Sequence, residues 1–230
     1  MSLINGRLIR SVIALSMLFF AGATFAGSWQ LDMDEDGIQL YSKTSKDSPL
    51  KTVKVITTVK ASLNSLVSFL SDYSQFPAWM DKVSKVQKLK DISPTERLTY
   101  TVIDSPWPER DRDAVFYSKW HQDPNTLVVT KDISSEPHYL DKDSSMVRIP
   151  LFKGEWKLVP KPGGRVQVSY QVDFNPGGKV QGWLLDMFTY QMPFKTMQNL
   201  RTAALDRYDG AKFAFIKEPL KDGVAMTTTQ

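Results

Sequence analysis

Two runs with strand character, Gly154 to Val159 and Arg165 to Phe174, flank the turn Lys161-Pro162-Gly163-Gly164. A second turn, Asn175-Pro176-Gly177-Gly178, leads into a helical segment reaching about Tyr208. From Val166 to Phe174 apolar and polar residues alternate at every step, the period of a strand with one covered face and one polar face. The polar face can meet bulk water or line a cavity. In the helical segment Val180, Trp183, Leu184, Met187, Phe194, Met197, Leu200 and Ala204 recur mostly at spacings of three or four. They form one apolar stripe. A curved antiparallel sheet closed by a terminal helix can enclose a hollow, so the pattern predicts a container. Pro193 predicts a short helix from about Val180 to Gln191, a kink or break, and a main helix from Phe194. Trp183, Met187, Phe188, Tyr190, Met192, Phe194 and Met197 are more aromatic and Met side chains than one packed stripe needs. Flexible Met suits a surface that accommodates variable apolar shapes, although core filling accounts for any single one.

The first 26 residues read separately. Arg7 and Arg10 precede an uncharged, mostly apolar run from Ser11 to Phe20, and Thr24-Phe25-Ala26 offers a small-x-small cleavage site. This is the pattern of a secretory signal peptide. The alternative is an uncleaved anchor helix, but the run is short for a span of roughly 20 residues. No Cys follows it, which excludes a bacterial lipoprotein anchor. Cleavage leaves Gly27 to Gln230, one domain's worth of chain with a sizeable core. Losing Arg7 and Arg10 lowers the formal charge from +4, so nothing electrostatic points to nucleic acid. An exported chain without Cys stands on its core alone; a bacterial periplasm fits best. The domain is expected over residues 27–217, with a polar, loose tail at 218–230.

Ile38 to Ser42 and Lys51 to Lys60 read as strands. Ser62 is an N-cap candidate opening a helix with Leu63, Leu66, Val67 and Leu70 on one face. Phe76-Pro77-Ala78-Trp79-Met80 redirects it. Strands follow at Val83 to Leu89, Glu96 to Ile103, Ala114 to His121 and Thr126 to Ile133. Another begins at Met146 to Ile149, which Gly154 to Val159 continues or pairs near. No alternation of strand and helix persists, so the fold class is α+β with an antiparallel sheet. Lys82, Lys85, Lys88 and Lys90 read as a solvated strand face, with a weak attraction to anionic headgroups as the other reading.

In the loop Asp104-Ser105-Pro106-Trp107-Pro108-Glu109-Arg110-Asp111 two prolines bracket a Trp. Trp107 either plugs something apolar, contacts a membrane, or caps the domain's own core. Arg112 and Asp113 at the start of the next strand suit a structural ion pair; catalytic use is the rarer alternative. His121 and His138 lack a partner at metal-ligand spacing and there is no Cys, so no metal site is expected. No GxSxG, P-loop or GxGxxG occurs, although an acid–base pair needs no linear motif.

Several blocks resemble the START (StAR-related lipid-transfer) domain family. Pro108-Glu109-Arg110-Asp111-Arg112-Asp113-Ala114-Val115 is similar to its proline, Arg-Asp and strand start. Val147-Arg148-Ile149-Pro150 and Gly154-Glu155-Trp156-Lys157-Leu158-Val159-Pro160 resemble the strands that follow. Val168 to Gly178 resembles the last strand and its Gly turn, and Trp183-Leu184 with Asn199-Leu200-Arg201 the terminal helix. The resemblance covers about Gly37 to Tyr208. The family's frequent Ile-Pro before Trp-Leu is replaced here by Val180-Gln181-Gly182, leaving helix start and ligand identity open.

The resemblance implies a helix-grip fold, a curved antiparallel β-sheet wrapped around a long C-terminal helix, with a hydrophobic cavity for a lipid or other apolar molecule. It implies no enzyme activity and no cofactor, a monomer, and transient contact with a membrane surface. Candidate cavity or gate residues are Trp79, Trp107, Arg112, Phe116, Arg148, Tyr170, Trp183, Met187, Tyr190 and Met197. Either Arg would need a carboxylate or ligand partner if buried, with Asp113 and Asp173 as the nearest. A second reading is a cyclase or aromatase-like or hydrolytic enzyme using Arg112, Asp113, Tyr170 or His121 in the same cavity. A third is an envelope interaction module with a solid interior.

Overall fold

The structure is a computed structural model that describes residues 28–48 and 50–220. The leader expected at 1–26 and positions 221–230 of the expected tail lie outside the described residues. The strands are β1 (Gln30–Glu35), β2 (Ile38–Thr44), β3 (Lys51–Lys60), β4 (Val83–Ser93), β5 (Glu96–Ile103), β6 (Arg112–Gln122), β7 (Val129–Ser135), β8 (Val147–Arg148), β9 (Leu151–Lys161) and β10 (Arg165–Asn175). The helices are α1 (Leu63–Phe69), α2 (Phe76–Trp79), α3 (Gly182–Asp186) and α4 (Met192–Thr202). One sheet runs in the order β1-β2-β3-β10-β9-β7-β6-β5-β4. Neighbours on that path are antiparallel. Two-residue β8 pairs in parallel with β6 off the path. This is the expected α+β helix-grip architecture. β8 is separate from β9, which starts at Leu151, and β1 was not anticipated. β1 is largely exposed at the sheet edge, so it carries no alternation to detect.

Register decides which residues share a face, because directly opposed residues point the same way. Leu40 faces Val55, Val55 faces Tyr170, Tyr170 faces Trp156, Trp156 faces Lys131, and Lys131 faces Trp120. All six are buried. They form one transverse row across the concave face of the sheet. In β10 the apolar alternates Val166, Val168, Tyr170, Val172 and Phe174 are buried, whereas Gln167, Ser169, Gln171 and Asp173 are half-buried. The apolar face, not the polar one, therefore looks onto the interior. Gly154 makes room on that face: a Cβ there would stand 2.5 Å from the Phe152 ring.

α1 begins where Ser62 accepts a hydrogen bond from Ser65 N, a cap contributing about 1 kcal/mol. Glu218 supplies two further partners, accepting from Leu63 N and Asn64 N at 3.1 and 2.7 Å. The carboxylate therefore anchors a position the sequence assigns to the loose tail. Leu63, Leu66 and Val67 bury completely, each contributing roughly 1.5–3 kcal/mol.

The C-terminal segment differs from expectation around Pro193. There is no break: a π-helical turn, Met187–Gln191, joins α3 to α4, and Pro193 falls in the first turn of α4. Pro193 has no N–H to give, and it directly follows Met192, whose N–H bonds Met187 O in the wide π pattern, so the register change falls at the ring. α3 starts at Gly182, and after Thr202 a 3-10 turn at Leu205–Tyr208 completes the segment. Leu184, Met187, Phe188, Met197 and Leu200 form its buried stripe.

Candidate functional site

Between sheet and helix the space is occupied by two chains of aromatic rings. Phe69, Trp79, Trp156 and Tyr170 follow one another at centroid distances of 4.6, 6.1 and 4.3 Å, the last pair stacked. Phe116, Phe152, Phe174 and Phe188 follow at 4.7, 6.0 and 5.4 Å. The structure thus brings Trp79, Phe116 and Tyr170 of the candidate set into one interior. Met187 and Met197, both buried on the helical stripe, close it. This wall is apolar but holds an unpaired donor. Trp79 Nε1 is buried without a hydrogen-bond partner among the described residues. Burial pushes the Tyr170 phenol above its ordinary pKa, so it stays a neutral donor at all ordinary pH. Tyr190 stands apart: it is half-buried and its hydroxyl accepts from Lys51 Nζ at 3.0 Å, at the start of β3.

One interior residue escaped the sequence. Lys131 is buried on the concave face, where Nζ donates to Leu70 O at 2.9 Å and to Tyr73 Oη at 3.2 Å. It also lies 4.8 Å from the Tyr73 ring centre and 5.2 Å from that of Trp120, within cation–π range. Burial raises the Tyr73 phenol, yet the Lys131 charge and hydrogen bonds from Ser118 and Lys131 leave it below its ordinary pKa. In Val128-Val129-Thr130-Lys131-Asp132-Ile133 the signal was strand parity: Lys131 falls in phase with buried Val129.

Adjacent Arg112 and Asp113 point to opposite faces of β6, so they do not form the ion pair the sequence suggested. Asp113 faces the side covered by the loop after β7, where Arg148 holds both its carboxylate oxygens: Nε to Oδ1 at 3.0 Å and Nη2 to Oδ2 at 2.8 Å. The remaining Arg148 donors go to the carbonyls of Pro137, Leu140 and Asp141. Arg148 is a saturated structural clamp away from the aromatic interior. Asp173, the other carboxylate considered for an Arg, accepts from Ser45 Oγ instead. Arg112 is only 1% exposed and lies 5.8 Å from the Phe188 ring centre, on the helix side. Its Nη1 donates to Ser105 Oγ and Arg110 O, its Nη2 reaches Glu109 at 3.5 Å, and its Nε has no partner among the described residues.

The loop of residues 104–111 is strapped to the helix start. Glu109 accepts from Gln181 Nε2 at 3.1 Å, and Gln181 Oε1 accepts from Trp183 Nε1 at 3.0 Å. Trp107 is 91% exposed, so it does not cap the domain's own core. Trp183 is 41% exposed. Tyr139 and Leu140 are exposed in the loop clamped by Arg148. These four apolar side chains gather at one end of the sheet. The suggested acid–base set does not converge. His121 is exposed beside Asp132 at 3.5 Å, Asp113 is engaged by Arg148, and Tyr170 lies inside.

A hollow of about 1130 Å³ lies at the opposite end of the sheet, between the β9–β10 turn, the β6–β7 loop, the start of α1 and residues 205–220. Lys60, Lys161, Arg165, Asp206, Asp209 and Glu218 are among its lining residues, a mixed-charge rim unlike an acyl-chain wall. None of the ten candidate residues lines it.

The Polyketide cyclase / dehydrase and lipid transport family matches residues 59–201. An uncharacterised Pseudomonas aeruginosa protein is 31% identical over 203 residues, covering 88% of this chain and all of the relative. Rat phosphatidylcholine transfer protein is 26% identical over 172 residues, covering 71% of this chain and 78% of its own. The crystal structure of a STAR-related lipid transfer protein from Xanthomonas axonopodis is similar with a TM-score of 0.69 and 33% identity, covering 76% of this chain and 97% of that one. A family match over more than half of the chain, a relative aligned along its full length and a shared helix-grip architecture lead to one conclusion: this chain belongs to the polyketide cyclase/dehydrase and lipid transport family, with the fold of the START superfamily.

Proposed function

We propose that this protein carries a lipid or comparable apolar molecule between its concave sheet face and its C-terminal helical segment, without chemistry on the guest. The observation that carries this reading is the aromatic interior around Trp79 Nε1, a buried donor without a hydrogen-bond partner among the described residues. Native interiors pair such groups, and a guest's ester, hydroxyl or headgroup oxygens would satisfy them. The surrounding rings and methionines would cover the guest's apolar body at roughly 25 cal/mol per Å² removed from water. The same space holds the ring chains today, so loading requires them to move aside. The π-helical turn at Met187–Gln191 is where the helix is most easily re-formed. Relatives named for lipid transfer support the carrier reading, and the scattering of Arg112, Asp113, Tyr170 and His121 weighs against the cyclase reading.

The rim of Trp107, Tyr139, Leu140 and Trp183 is the proposed membrane contact, since Trp and Tyr favour the bilayer interface. The working compartment proposed is the periplasm. The test is transfer of labelled lipid from donor to acceptor vesicles by the mature chain. Because the chain has no Cys, E109C and Q181C can be bridged selectively by a short bis-maleimide. The bridged protein should take up no lipid and the unbridged variant should. Uptake at the same rate with and without the bridge would contradict opening of the loop from the helix. The W107A/W183A pair should slow transfer by about tenfold, in line with the lost interfacial anchoring of two large rings.

A further inference from the structure

We propose that the Nε/Nη2 edge of Arg112 binds the anionic head of the guest, a phosphate or carboxylate on an apolar body, by displacing Glu109. The inference rests on the carrier reading above and names the chemical class of its guest.

Among the described residues two guanidinium groups are buried, both at the same end of the sheet, and their difference is informative. Arg148 spends its Nε/Nη2 edge on both oxygens of Asp113 at 3.0 and 2.8 Å, the side-on fork that makes such pairs strong. On Arg112 the equivalent edge is nearly idle: Nη2 is 3.5 Å from Glu109 Oε2 and Nε has no acceptor among the described residues. The acids next to it in sequence are engaged elsewhere. Asp111 accepts from Ser105 N at 2.8 Å, Asp113 is held by Arg148, and Glu109 divides itself between Arg112 and Gln181. A guanidinium does not discharge in proteins, and a buried charge paired at the long limit is costly. Burial pulls the Arg112 guanidinium below its ordinary pKa, and Glu109 opposes this only in part. What this edge fits is a planar pair of anionic oxygens from outside the chain. Its place agrees: Arg112 lies under the loop of residues 104–111 and over Phe188 of the π-helical turn, where a head would rest when the body lies among the rings.

Displacing Glu109 has a mechanical consequence. Glu109 is the acceptor that ties Gln181 to the loop, and Gln181 in turn holds the Trp183 indole. An arriving anion therefore frees the strap between loop and helix as it binds. A guest without an anion leaves Glu109 in place and the strap shut.

The experiment offers the mature chain to donor vesicles carrying trace-labelled phosphatidylglycerol, oleic acid and diacylglycerol at equal mole fraction, and measures each label on the recovered protein. The wild type is expected to favour an anionic probe over diacylglycerol, and the favoured one tells phosphate from carboxylate. In R112Q the ratio of anionic to neutral label should fall at least about tenfold, as for loss of a bidentate charged contact. R112K, a point charge without the fork, should fall between. E109Q, which leaves the cation intact and weakens its competitor, should raise the ratio several-fold. It decides the matter if R112Q does not fold. An unchanged ratio in folded R112Q, or no rise in E109Q, overturns the inference while the carrier reading stands. A wild type that retains none of the three probes overturns both.

Discussion

Arg148 Nε and Nη2 clasp the two carboxylate oxygens of Asp113 at 3.0 and 2.8 Å, with both side chains almost completely buried. The clasp joins β8 to β6 and draws in the backbone of the loop after β7 through three carbonyls. Removing one partner leaves a charge in the interior, which costs about 3–5 kcal/mol. D113N and R148M should each lower the thermal midpoint by roughly 10 °C, at about 2–4 °C per kcal/mol for a domain of this size. A shift of only a degree or two in calorimetry would refute the structural role.

Tyr170 behaves oppositely. Burial alone accounts for its raised pKa, with no hydrogen bond among the described residues contributing. Y170F should leave the stability of the empty protein within about 1 kcal/mol of wild type, because no hydrogen bond is broken. W156A, which removes the ring stacked on it at 4.3 Å, should cost about 3–5 kcal/mol. Urea denaturation compares them directly. A large loss in Y170F would mean the phenol holds the fold together.

Lys131 sets the titration of Tyr73. Burial raises the Tyr73 phenol, while the Lys131 charge and the hydrogen bonds it receives bring it below its ordinary value. K131M removes the attraction and leaves the burial, so Tyr73 should then ionise at higher pH than in wild type. Ultraviolet absorbance of phenolate on alkaline titration, with Y73F as the blank, reads the shift. A titration that does not move would show that Lys131 is not the partner.

Glu96 sets a window in acid. Hydrogen bonds from Tyr117, Lys119 and Ser93 lower its carboxyl from 4.5 to about 2. A depressed folded-state pKa gives stability that is complete above the unfolded value and is lost as pH falls through the folded one. The stability difference between wild type and E96Q should therefore be constant above about pH 5 and shrink between there and pH 2. A difference that persists unchanged at pH 2 would contradict the assignment.

Much of the architecture was readable because it rests on local rules. β3 and β5 begin and end where the Val, Ile and Thr runs begin and end, and Ser62 caps α1 as its position suggested. The alternation of β10 identified its covered face correctly. What the sequence could not supply were facts of register and of distant partners. Asp113 is one residue from Arg112 but belongs to Arg148, because strand pleating sends neighbours to opposite faces. Lys131 turns inward only because β7 is paired between β6 and β9. Glu218 reads as tail until α1 presents its free N–H groups to it. Pro193 signalled a break, but a π-helical turn accommodates it. Among the site candidates, Trp79, Tyr170, Met187 and Met197 meet in the interior; Trp107 and Trp183 stand at the rim; Arg148 serves the fold.

The central claim is that the guest lies between the concave sheet face and the C-terminal helical segment, not in the open hollow at the other end. A lipid with a diazirine in its acyl chain, loaded from vesicles and photolysed, places the chain residue by residue through peptide mass spectrometry. The account predicts adducts on Trp156, Tyr170, Met187 and Met197. Adducts confined to Ser62, Leu63, residues 160–166 and Leu205, or none at all on protein that has met the vesicles, would contradict it.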